Sequence, residues 1–161
     1  KFLKYLHGKK IDTYFEIGTR WGGTFIIINE IIRQTNPGMV SYGLDYMEMS
    51  DILREYQTIS PYHYLQSDSH DTEWVLAHLP KQIDFIFVDG DHSYDGVKMD
   101  YELALKLNPK YIMFHDIDSD ACRGVVDFWN EIKDQYKHYE FKDQYNSVTR
   151  GNYLGIGVIE L

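Results

Sequence analysis

Apolar positions along this chain fall into two alternating patterns: short runs that are almost continuously hydrophobic, and longer stretches where apolar residues recur every three or four positions. The first pattern suits strands and the second amphipathic helices. Asp12–Gly18 reads as a strand ending in glycine. The stretch 22–34 follows with Phe25, Ile28, Ile31 and Ile32 at helical spacing, and Asn36-Pro37-Gly38 stops it. Val40–Asp45 predicts a second strand, and Asp51–Gln57 a short helix capped by Ser50. Tyr62–Gln66, Ile83–Asp89 and Lys110–His115 predict further strands, interleaved with helices over Asp71–Leu79, Tyr94–Leu107 and Cys122–Tyr136. The run IDFIFVD is apolar enough for a strand buried on both faces. Tyr139–Asp143 and Tyr153–Leu161 differ, because the polar segment 144–152 between them holds no helix. Strands joined without a crossover pair antiparallel. The order therefore predicts an α/β fold: a doubly wound, mostly parallel seven-stranded sheet with an antiparallel C-terminal hairpin, in one domain across residues 1–161.

Composition narrows the partners. The 161 residues carry a formal net charge of −9, and no basic stripe is visible. Nucleic acid and anionic membrane surfaces are therefore poor partners. No apolar run reaches the length of a membrane span. The single cysteine, Cys122, excludes an internal disulfide framework and a cysteine-based zinc site. It suits a reducing compartment, and the cytoplasm is the expected location. Self-association is left open.

Candidate chemistry gathers at the predicted strand ends, where open parallel sheets bind ligands. These ends are Glu16-Ile17-Gly18, Asp45, Ser67-Asp68, Asp89 and His115-Asp116, nearly all acidic. In the loop Gly18-Thr19-Arg20-Trp21-Gly22-Gly23, glycine permits a sharp turn and close approach of backbone to a ligand. Glu16 beside it favours a cationic ligand over a pyrophosphate. Asp45, about 20 residues past Gly23, is placed to accept ribose hydroxyls. That pair of features points to a nucleoside-bearing cofactor without separating a nicotinamide dinucleotide from S-adenosylmethionine. Asp89, His115 and Asp116 lie at neighbouring strand ends and form a plausible ligand set for Mg²⁺ or another divalent cation. Asp91 and Ser93 are alternatively helix caps, and His92 alternatively packs on Tyr94.

The string Tyr14-Phe15-Glu16-Ile17-Gly18 through Gly22-Gly23-Thr24 resembles the first motif of small class I S-adenosylmethionine-dependent methyltransferases. Gly43-Leu44-Asp45 resembles their acidic ribose motif. Asp84–Tyr94 (DFIFVDGDHSY) with Gly96-Val97 and Asp100, then His115-Asp116, Gly124-Val125, Phe128-Trp129 and Leu154–Val158, complete a pattern similar to the group containing macrocin-type O-methyltransferases and cephalosporin-hydroxylase-like proteins. The resemblance runs from about residue 11 to the C-terminus. It implies S-adenosylmethionine as cofactor and a hydroxyl on a small molecule or carbohydrate as acceptor. It also implies binding roles for Glu16, Gly18, Thr19, Gly22, Gly23, Asp45, Ser67, Asp68 and Asp89, a divalent metal on Asp89, His115 and Asp116, and catalytic roles for His92 and Asp91. Position 115 is His where catechol-type relatives carry Asp, position 116 is Asp where they carry Asn, and Arg20 stands where many carry glycine. Three rival readings stand beside this one: a nicotinamide-dependent oxidoreductase, a metal-dependent hydrolase using Gly90-Asp91-His92, and a catalytically silent S-adenosylmethionine-binding module.

Overall fold

The computed structural model describes residues 1–142 and 153–161. In chain order the elements are α1 (Phe2–Leu6), β1 (Thr13–Ile17), α2 (Gly23–Arg33), β2 (Val40–Asp45), α3 (Asp51–Ile59), β3 (His63–Gln66) and α4 (Thr72–His78). They continue with β4 (Phe85–Val88), α5 (Tyr94–Leu105), β5 (Tyr111–His115), α6 (Arg123–Ile132), β6 (Lys137–Phe141) and β7 (Ile156–Glu160). The strands form one seven-stranded sheet in the order β3-β2-β1-β4-β5-β7-β6. β1 to β5 pair parallel, while β7 runs antiparallel to both β5 and β6. The predicted fold class is thus the one observed.

Alternation along each strand explains the two cores. Phe15, Ile17, Ile86, Val88, Ile112 and Phe114 point to one face, where they meet Val75, Val97, Leu103, Phe128 and Trp129 of α4, α5 and α6. Tyr14, Phe85, Phe87 and Met113 point to the other, packed on Phe2, Leu6, Phe25, Ile28, Leu53 and Tyr56 of α1, α2 and α3. All four residues of β4 are buried, as its unbroken apolar run requires.

The sequence pattern overran most element ends by one to three residues. Helix 22–34 shortens to Gly23–Arg33, and the stretch 122–136 resolves into α6 plus a 3-10 turn at Lys133–Gln135. α3 instead runs two residues further, to Ile59, with Ser50 accepting from the Leu53 amide as expected. α1 was not anticipated, because its apolar anchors are only Phe2 and Leu6. The predicted strand end Asp143 and the connector 144–152 lie outside the described residues.

What the fold does for function is set by strand order. β1 neighbours β2 on one side and β4 on the other, so chain direction across the sheet reverses between β1 and β4. A crevice opens at such a point beyond the carboxyl ends of the strands. Glu16 and Asp89 flank it.

Candidate functional site

The loop leaving β1 builds one wall of the crevice. Gly18 (φ 86°) turns the chain sharply, and a Cβ there would sit 2.2 Å from the Asp89 carbonyl oxygen. Only glycine allows β1 and β4 to end this close together. Gly18 and Thr19 donate from their amides to the Leu44 carbonyl, which ties the loop to β2. Gly22 (φ 88°) caps α2 in a left-handed conformation, and a Cβ on it would strike Leu53. Its role is therefore packing against α3. Of the three glycines in this loop, Gly23 is the one that faces open space.

The result is a cavity of about 950 Å³ lined by Glu16, Gly18, Thr19, Gly22, Gly23, Asp45, Ser67, Asp68, Asp89, Asp91 and His92, together with several neighbours. Every residue assigned from the sequence to the cofactor lies on this one wall system. Five of the lining side chains are carboxylates, against a single guanidinium, Arg20.

These carboxylates are held differently. Glu16 is 1% exposed and accepts a short hydrogen bond from the Tyr14 hydroxyl. Burial pushes its carboxyl well above the ordinary range, and the nearby Asp89 and Asp45 charges push the same way, against the Tyr14 bond. Residues 14 and 16 share a strand face, which puts both side chains on the same side of β1. Asp45 accepts from the Arg20 amide at 2.6 Å through Oδ2 and from the Met47 amide at 2.9 Å through Oδ1. Arg20 reaches it from a left-handed backbone, φ 45°. Asp91 accepts from the Ser93 amide at 2.8 Å, which holds its carboxyl below the usual range. The cap of α5 is Ser93 itself, bonded to the Gly96 amide.

A second cluster adjoins the cavity where β4 and β5 end side by side. His92 Nε2 lies 3.4 Å from Asp89 Oδ1 and 3.4 Å from Asp116 Oδ2. His115 Nδ1 lies 3.4 Å from Asp89 Oδ1 and 3.1 Å from Asp116 Oδ2. Asp116 (φ 60°) folds back in the left-handed region to make these contacts. The Asp89 hydrogen bond raises the His92 imidazole, overcoming partial burial. Burial opposes charge on His115 more strongly, yet Asp116 and Asp89 still lift it. Among the described residues, Asp89, His115 and Asp116 place one ligand atom each within 4.8 Å of one another, and so do His92, Asp116 and Cys122. His92 thus belongs to this cluster and does not merely pack on Tyr94.

Several lining residues were assigned no role from the sequence: Trp21, Tyr46, Met47, Ser69 and His70. Tyr46 and Ser69-His70 directly follow acidic strand ends, and that adjacency was the available signal. Behind the wall, Asp100 of α5 is fully buried with neither oxygen hydrogen-bonded, 3.8 Å from the His70 ring.

A family model described as a methyltransferase domain matches residues 15–117, more than half of the chain. No curated protein matches. Among solved structures, the O-methyltransferase from Bacillus cereus in complex with SAH superposes with a TM-score of 0.70 at 19% identity, covering 94% of this chain and 74% of that one. TomG from Streptomyces achromogenes, an O-methyltransferase of tomaymycin synthesis in complex with SAM, gives 0.69 at 16% identity over 99% and 79%. The SAH-bound methyltransferase PaMTH1 from Podospora anserina gives 0.68 at 16% over 98% and 75%.

Proposed function

The chain belongs to the methyltransferase-domain family whose model it matches, and from that premise we propose that it is an S-adenosylmethionine-dependent O-methyltransferase acting, as one domain, on a hydroxyl of a small molecule or carbohydrate. The carrying observation is Glu16. A buried carboxyl, facing Asp45 and Asp89 in one cavity, carries its charge at a cost that a proton or a cationic ligand relieves, and the ligand is what such a cavity can select. The nicotinamide and hydrolase readings lose their footing on the family match. That the similar Bacillus cereus and Streptomyces proteins are described as O-methyltransferases supports the choice of hydroxyl over other acceptors.

In this reading Glu16 and the backbone at Gly18 and Thr19 hold the methionine part of the cofactor. Asp45, its oxygens already fixed by two amides, keeps further lone pairs for the ribose hydroxyls. Ser67 and Asp68 lie toward the adenine, and Gly22 and Gly23 present the start of α2. S-adenosylmethionine supplies an electrophilic methyl group on sulfur. The cavity's contribution is to hold the acceptor oxygen in line with that methyl group, which replaces a bimolecular encounter by a fixed geometry. His92 takes the hydroxyl proton, because it is half-exposed at the cavity rim and the Asp89 carboxylate, 3.4 Å from its Nε2, stabilises the imidazolium that forms. Asp91 is held below the usual carboxylate range by the Ser93 amide and serves to fix the loop that carries His92. A divalent cation fits the Asp89, His115 and Asp116 donors, where it would lower the hydroxyl pKa. The lone thiol of Cys122 supports a reducing, cytoplasmic setting.

Calorimetry with S-adenosylmethionine and S-adenosylhomocysteine, each with and without Mg²⁺, tests the reading, followed by methyl transfer to a panel of hydroxyl acceptors. Binding of both nucleosides is expected. Binding of NADH with neither of them would overturn it. Binding without turnover on any acceptor would instead favour a silent module, and full turnover by His92→Ala would remove His92 as proton acceptor.

A further inference from the structure

Five carboxylates line the cavity, and each is engaged by the protein itself. Glu16 accepts from the Tyr14 hydroxyl, Asp45 from the Arg20 and Met47 amides, Asp68 from the His70 amide and Asp91 from the Ser93 amide. Asp89 faces the imidazoles of His92 and His115. One guanidinium stands among them. Arg20 meets Asp45 through its backbone amide, at 2.6 Å, and not through its side chain. Among the described residues its guanidinium has no ion pair and no hydrogen bond. Arginine keeps its charge at any pH of interest. A permanent cation left unpaired on a wall of carboxylates is available to an anion that a ligand brings.

The residue is tethered where it stands. Arg20 holds φ 45°, the Gly18 and Thr19 amides before it donate to the Leu44 carbonyl, and the Gly22 amide after it donates to the Thr19 carbonyl at 2.7 Å. Its side chain therefore starts from a fixed point on the cavity wall. The same loop carries the backbone that the methyltransferase reading gives to the methionine part of the cofactor. α2 opens beside it on Gly22, a cap without a side chain, and has no acid in its first turn. Nothing there competes for the guanidinium.

The methionine end of an adenosyl cofactor is not a simple cation. It carries an ammonium and a carboxylate on one carbon, near the sulfur. The cavity acids answer the ammonium and the sulfonium. Toward the carboxylate the same acids are repulsive, and among the lining residues only Arg20 carries a permanent opposite charge. A guanidinium also matches a carboxylate in bidentate geometry.

We propose that Arg20 binds the α-carboxylate of the adenosyl cofactor and so makes the cavity select an amino-acid-bearing nucleoside over one without that carboxylate. The proposal rests on the methyltransferase reading. It names within that reading a contact that glycine, the residue many similar enzymes carry at this position, cannot make.

Calorimetry of the full chain tests it, with S-adenosylhomocysteine and with its decarboxylated analogue, which keeps the ammonium and lacks the carboxylate. Arg20→Gln should weaken S-adenosylhomocysteine and not the analogue, changing the ratio of the two affinities about tenfold or more. Arg20→Lys should restore part of that change, and high salt should shrink it. Arg20→Gly suits the left-handed backbone and should give the same loss without strain. A ratio unchanged in both the glutamine and glycine variants, or an equal loss for both ligands, overturns the proposal. So does an effect confined to the KM of an anionic acceptor, which would assign the guanidinium to that substrate. If both nucleosides bind and their ratio ignores Arg20, the methyltransferase reading stands and the arginine contact alone falls. If neither binds the wild type and NADH does, both fall.

Discussion

Asp100→Asn removes a charge from a place where the fold accommodates one poorly. The carboxylate of Asp100 is fully buried in α5, behind the cavity wall, where the Ser69 hydroxyl and the Asp91 amide approach it without closing a hydrogen bond of ordinary geometry. A Cβ on Gly90 would lie 2.7 Å from its Oδ2, so the loop after β4 presses directly on it. Burial lifts this carboxyl from an ordinary 3.8 to about 6, against the easing effects of Ser69, His70 and the Asp91 amide and with the Asp91 charge reinforcing it. Each pKa unit is worth about 1.4 kcal/mol, so the ionised group costs the folded state about 3 kcal/mol. The unfolded chain ionises first. Stability contributed by the neutral group is therefore full below about pH 4, declines between about 4 and 6, and is gone above that window. Asparagine has nearly the same shape and no charge to lose. The variant should match the wild type near pH 4 and exceed it by up to about 3 kcal/mol at pH 8, or about 6–12 °C in melting temperature for a chain of this size. Urea denaturation of both proteins at the two pH values measures the difference, and groups that titrate alike in both cancel. A stability gap that is the same at pH 4 and pH 8, whatever its sign, would refute the claim that burial of a charge governs this position.

Three further outcomes follow from the same structure. Glu16→Gln should weaken S-adenosylmethionine binding about tenfold or more and flatten its pH dependence: in the wild type a cation binds the ionised Glu16, so affinity should rise with pH by up to about tenfold per unit below the raised value, as a calorimetric pH series on both proteins would record. Gly18→Ala should destabilise the fold by about 2–5 kcal/mol, because the new methyl meets Asp89 backbone and the residue must hold a positive φ; a melting curve like the wild type's would contradict this. Asp84 accepts from the Asp12 and Thr13 amides and pairs with Lys110 at 2.8 Å, and despite the opposing effect of burial these donors hold its carboxyl below the ordinary value. Its stabilisation is present above about pH 4 and lost as pH falls through the depressed value, so Asp84→Asn should cost about 1–3 kcal/mol at pH 7 and much less at pH 3.

Much of this architecture was legible because β4 and β5 carry unbroken apolar runs and each parallel strand is followed by a stretch of helical period. β4 could be read from IDFIFVD alone, and the antiparallel pairing of β6 with β7 from the missing helix between them. Strand ends were legible for the same reason, so Glu16, Asp45, Asp68, Asp89 and Asp116 could all be placed at one rim. α1 was not legible, since two anchors carry no period and its stability comes from packing on the α2 face. The interior partners were hidden as well. That Tyr14 would turn its hydroxyl to Glu16, or that Asp100 would lie under Gly90, depends on rotamers and close approach, which a linear pattern does not encode.

The acids at the rim divide into two kinds by what holds them. Asp45 and Asp91 accept from backbone amides, and Glu16 from a buried phenol, donors that keep their protons at any pH near neutrality. Such carboxylates are fixed in direction before any ligand arrives, which is what recognition of an adenosyl cation needs, since little reorganisation remains to be done on binding. Asp89 and Asp116 instead face the imidazoles of His92 and His115, whose protons can leave. The crevice at the reversal of strand order therefore joins two kinds of acid at Asp89: fixed acceptors on the β1 and β2 side, and partners of titratable imidazoles at the ends of β4 and β5.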